Sequence, residues 1–106
     1  MRPEQDSMML VRADLCERLE TLRALTRRCS TRDYVSKVES IRTLAAAYGL
    51  TPVVRVAEAL ERSVSEQDRG HAGLYLARLQ DAIGCERLDE EASEAMLASV
   101  SVRLCA

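Results

Sequence analysis

The chain has 106 residues, of which 47% are apolar and 30% charged, enough to build one hydrophobic core and too apolar for intrinsic disorder. Seventeen acids against fifteen bases leave a formal charge of −2, which excludes a chain-wide electrostatic surface for nucleic acid. No apolar run approaches the roughly 20 residues of a membrane span, and the acidic opening MRPEQDSMML does not read as a signal peptide, so a cytoplasmic protein without membrane attachment is expected.

Helical periodicity runs through nearly the whole chain. Met8, Val11, Leu15, Leu19 and Leu22 recur at three- and four-residue steps and predict one apolar stripe on a first helix. Arg23, Arg27 and Arg28 crowd its far end, where cations complement the helix dipole. Ser30 or Thr31 can cap a second helix carrying Tyr34, Val38, Ile41, Leu44, Ala45 and Tyr48, closed by Gly49. Thr51 and Pro52 then read as the N-cap and first-turn proline of a third helix, with Val53, Val56, Ala57, Leu60 and Val64 as its stripe. Asp68 to Gly73 reads as a turn before a fourth helix that presents Leu76, Leu79 and Ile83, has Tyr75 and Ala82 at its edges, and stops near Gly84.

A fifth segment opens at Asp89, with Glu90 and Glu91 suited to a helix N-terminus. Its apolar residues, Ala95, Met96, Leu97, Val100, Val102 and Leu104, wrap around a helix instead of forming a stripe, and Ser99 to Arg103 alternates like a short strand. This segment either covers an end of the helical core or offers a surface to a partner. Short connections between amphipathic helices predict an all-α fold, an antiparallel up-and-down four-helix bundle over about residues 8–84 with an accessory C-terminal helix over 89–106, all in one domain.

Side chains suited to chemistry are sparse. Cys16, Cys29, Cys85 and Cys105 form no close pair and His71 is the only histidine, so neither a metal site nor a cofactor is expected. The cysteines are expected to be buried or half-buried thiols. No nucleophile–base spacing and no phosphate-cradling glycine loop is present, which argues against an enzyme. All bases but Lys37 are arginine, a bias more simply read as codon composition than as phosphate recognition. Three tyrosines and no Phe or Trp leave little with which to stack nucleobases.

Residues 44–60 invite comparison with a helix-turn-helix, through Ala45, Gly49, Leu50 and Thr51. The comparison fails on the second helix. Arg55 and Glu58 would have to point inward, Pro52 sits in its opening turn, and Val53 and Val56 would face the groove. Binding of nucleic acid is therefore not expected.

The stretch Glu39-Ser-Ile-Arg-Thr-Leu-Ala-Ala-Ala-Tyr-Gly49, followed by Val53, Val56, Ala57 and Ala59-Leu60-Glu61, resembles instead the histidine-phosphotransfer (HPt) domain of bacterial phosphorelays. That family carries a His-x-Leu-Lys-Gly motif, then an alanine pair, a helix-ending glycine and a helix ending in Ala-Leu-Glu. Ile41 takes the leucine place, Arg42 the lysine place, Ala45 and Ala46 the small pair, and Gly49 the glycine. Two positions depart from the pattern: Glu39 stands at the phospho-accepting histidine, and Thr43 at the glycine that lets a receiver domain approach. A carboxylate lacks the nucleophilic nitrogen and repels an incoming anion. His71 lies outside the motif helix.

The resemblance implies a two-component signalling module that docks a response-regulator receiver domain or a histidine kinase without relaying phosphate. At about 100° per residue, Val35, Ser36, Glu39, Arg42, Thr43 and Ala46 fall on the flank of the second helix away from its apolar side, and they are the expected docking face. Read without the resemblance, Glu39 and Arg42 form an i,i+3 ion pair on a solvated helix face, worth a few tenths of a kcal/mol. The alternative is a helical interaction module, a homodimer or a partner-binding protein that uses residues 89–106.

Overall fold

Four helices form where the apolar stripes predict them, α1 (Pro3–Leu25), α2 (Thr31–Ala47), α3 (Thr51–Ser65) and α4 (Ala72–Ile83), and no strand occurs among the described residues. The structure, a computed structural model, describes residues 3–25, 30–65, 71–84, 94–95 and 97–99. Arg27, Arg28, Cys29, Asp68, Cys85, Asp89, Glu90, Glu91, Met96, Val100, Val102, Arg103, Leu104 and Cys105 lie outside them. The helices pack as neighbours, α1 against α2 and α4, and α3 against α2 and α4. No described helix is long and apolar enough to cross a membrane.

On α1, Val11, Leu15, Leu19 and Leu22 are buried and Met8 packs at the margin of the core. Met9 and Leu10 are exposed. Cys16 is exposed as well, contrary to the expectation of a buried or half-buried thiol. It follows Leu15 by one residue, so the helical rotation carries it off the stripe. Two side-chain links tie α1 to its neighbours. Arg18 donates from Nη1 to the Ser40 hydroxyl on α2, and Arg23 Nη2 donates to Gln80 Oε1 on α4 at 2.6 Å.

The sequence left the N-cap of α2 open between two residues, and the structure selects Ser30, whose hydroxyl accepts from the Asp33 N–H at 3.2 Å. The helix buries Tyr34, Val38, Ile41 and Ala45. Leu44 is only half-buried, and Tyr48 is 47% exposed although the periodicity assigns it to the apolar face. The reason is local. Tyr48 is the C-cap, with φ −111 and ψ 12, and the chain leaves helical geometry before its side chain can follow the stripe.

Gly49 takes φ +71, the left-handed position that a Cβ would strain. Its N–H donates to the Ala46 carbonyl at 3.2 Å and the Leu50 N–H to the Ala45 carbonyl at 3.0 Å, the pair of bonds of a Schellman motif. This turn drives Leu50 into the core, where it is fully buried. The Leu50 carbonyl then accepts the Val54 N–H at 3.1 Å, so α3 begins immediately and Thr51 lies inside its first turn instead of capping it.

Helix α3 buries the expected Val53, Val56, Ala57, Leu60 and Val64, together with Pro52, Ala59 and Ser63. On α4, Ala82 is fully buried instead of lying at an edge, while Tyr75 is half-buried as expected. Ala72 and Gly73, read from sequence as the end of a turn, belong to the first turn of α4. Of the C-terminal segment, residues 94–95 and 97–99 are helical, and Leu97 packs against the core.

Candidate functional site

The solvent flank of α2 exists because its apolar residues all turn one way. With Tyr34, Val38, Ile41 and Ala45 buried, the helical rotation leaves Ser36, Glu39, Thr43 and Ala46 exposed and Val35 and Arg42 half-buried. All the residues expected from sequence to form a face are therefore on this flank, but they do not make a flat surface. They form a ridge between open grooves. On the α3 side a groove of about 530 Å³ is lined by Val35, Arg42, Glu58, Glu61, Arg62 and Ser65. On the α1 side a groove of about 540 Å³ is lined by Arg18, Ser36, Glu39, Ser40, Thr43 and Leu44 among others. Ala46 lies further along, in a smaller depression with Gly49, Val54 and Arg55.

Arg42 in the first of these grooves and Arg18 in the second are each paired with a carboxylate. Arg42 Nε donates to Glu61 Oε1 at 2.8 Å, linking α2 to α3. Its Nη2 comes only to 3.9 Å from Glu39 Oε1, beyond hydrogen-bond distance. The i,i+3 pairing read from sequence is therefore the weaker of the two contacts made by Arg42. On the other side Arg18 donates to both Asp14 carboxylate oxygens from one edge of its guanidinium, Nε at 2.9 Å and Nη2 at 3.4 Å, while Nη1 donates to the Ser40 carbonyl at 3.4 Å. The Glu39 side chain between them is 60% exposed.

The Arg42 guanidinium is held above its ordinary value, first by the hydrogen bond to Glu61. Partial loss of water opposes that rise, and the nearby charges of Glu61, Glu39 and Glu58 add to it. A cation whose folded-state value is raised contributes stability that is fully present below its unfolded value and is lost only as pH climbs through the raised one. Arginine already titrates far above neutrality, so its half of this pair stays charged across about pH 5 to 9. The pair is only partly shielded, with Arg42 32% and Glu61 20% exposed, so its coupling is expected to be about 0.5–1 kcal/mol. A double-mutant cycle of Arg42→Ala and Glu61→Gln, read by urea unfolding at low and high salt, should find that coupling and see it shrink with salt. Zero coupling at low salt would mean that the pair does not persist in solution.

Sequence reasoning did not find the partners that define this site. Glu61 was noticed only as part of Ala59-Leu60-Glu61, and nothing local in the sequence ties it to Arg42, nineteen positions earlier. Asp14 and Arg18 do carry a local signal, the i,i+4 acid–base spacing of a helix pair. The contact of Arg18 with Ser40 carries none.

Among the described residues no group of three or more His, Cys, Asp or Glu is placed to hold a metal ion. His71 is an exposed residue at the start of α4, not on α2. What the ridge presents is a partly apolar strip with charged side chains on two sides. Compared with family models, curated proteins and solved structures, the chain matches none.

Proposed function

We propose that this chain is a phosphorelay docking module of the histidine-phosphotransfer type, which binds a receiver domain or a histidine kinase in the cytoplasm without passing phosphate on. The observation that carries the reading is the position of Glu39. It stands exposed on the crest of α2, with open grooves on both sides, and the sequence resemblance puts the family's phospho-accepting histidine at this position. Its carboxylate acts as a fixed, weaker substitute for a phosphorylated histidine, with about one negative charge where the modification carries closer to two.

The finer architecture belongs to the same proposal: an antiparallel, up-and-down four-helix bundle. Two features support it. Helix α3 begins at Thr51, only four residues after α2 ends at Ala47, and the Arg42–Glu61 bond then joins the two helices well away from their turn. The bond between Arg18 and Ser40 relates α1 to α2 in the same way.

An amide NMR titration tests the function. Receiver domains from the same genome are added to the labelled full chain, with and without beryllofluoride, an anionic mimic of aspartyl phosphate. Shifts are expected to centre on Val35, Ser36, Glu39, Arg42, Thr43 and Ala46. Shifts confined to residues 89–106, or none with any receiver, would overturn the docking reading in favour of an interaction or homodimer module that works through the C-terminal segment. The contact of Leu97 with the core favours a covering role for at least part of that segment.

A further inference from the structure

We draw no further inference here: the strongest candidate, the apolar surface patch that Met9 and Leu10 leave exposed on α1, carries nothing, because nothing in the structure shows what covers it.

Discussion

A chain carrying Glu39→His together with Thr43→Gly is expected to accept a phosphoryl group from a phosphorylated receiver, whereas the parent chain accepts none. The lone pair of an unprotonated imidazole nitrogen would form the N–P bond as the P–O bond to the receiver's aspartate breaks, returning a free carboxylate on the receiver. Position 39 lies on the exposed crest between the two grooves, so an imidazole there is accessible, and removing the Thr43 side chain opens the approach one turn along. An oriented nucleophile should raise labelling about a hundredfold or more above the parent background. The cost to the fold is small, since threonine and glycine differ by about half a kcal/mol in a helix. Labelling is read by phosphate transfer on a gel, with circular dichroism as the control for folding. A folded double variant that binds a phosphorylated receiver and takes no label would count against an inherited phosphotransfer scaffold.

A large stability effect is expected at Leu50. Its side chain is fully buried, and its N–H and carbonyl both serve the α2–α3 corner, at 3.0 Å to Ala45 and 3.1 Å to Val54. Leu50→Ala keeps those backbone bonds and removes only the side chain, so its cost measures the fit of the core at the turn. About 3 kcal/mol is expected, because removing a fully enclosed leucine loses its transfer energy and leaves a cavity. Leu10→Ala is the control. Leu10 is 72% exposed, and its truncation should cost less than about 0.5 kcal/mol. Urea unfolding followed at 222 nm compares the two. Equal costs would mean that the corner does not seat Leu50 as described. A loss of this size is a large part of the stability of a domain this small, so the corner that precedes α3 also maintains the crest on which Glu39 stands.

Neutral pH is a quiet region for the Arg42–Glu61 link from the arginine side, because the guanidinium is held above an already high value. Salt, not pH, is the variable that should reveal the pair.

What could be read from the sequence was whatever a single helix decides for itself. The stripes on α1, α3 and α4 were legible because one helix repeats its inward face every three to four residues, and Val11, Leu15, Val53, Leu60 and Leu79 are buried accordingly. Gly49 was legible as a stop because few residues other than glycine adopt a left-handed backbone. The exposed flank of α2 followed from the same rotation that buried Tyr34 and Ile41. Tertiary structure decided what happens where one helix gives way to another. Tyr48 turns outward and Leu50 inward because the chain leaves helical geometry between them, and a periodic pattern does not extend across such a break. Tertiary structure also decided which charges meet. Arg42 has Glu39 as its neighbour in sequence but Glu61 as its partner in space, because side chains from two helices converge in the groove and the closer carboxylate wins. The position of Glu39 was therefore set by its own helix, while the partner of the neighbouring Arg42 was set by the helix packed beside it.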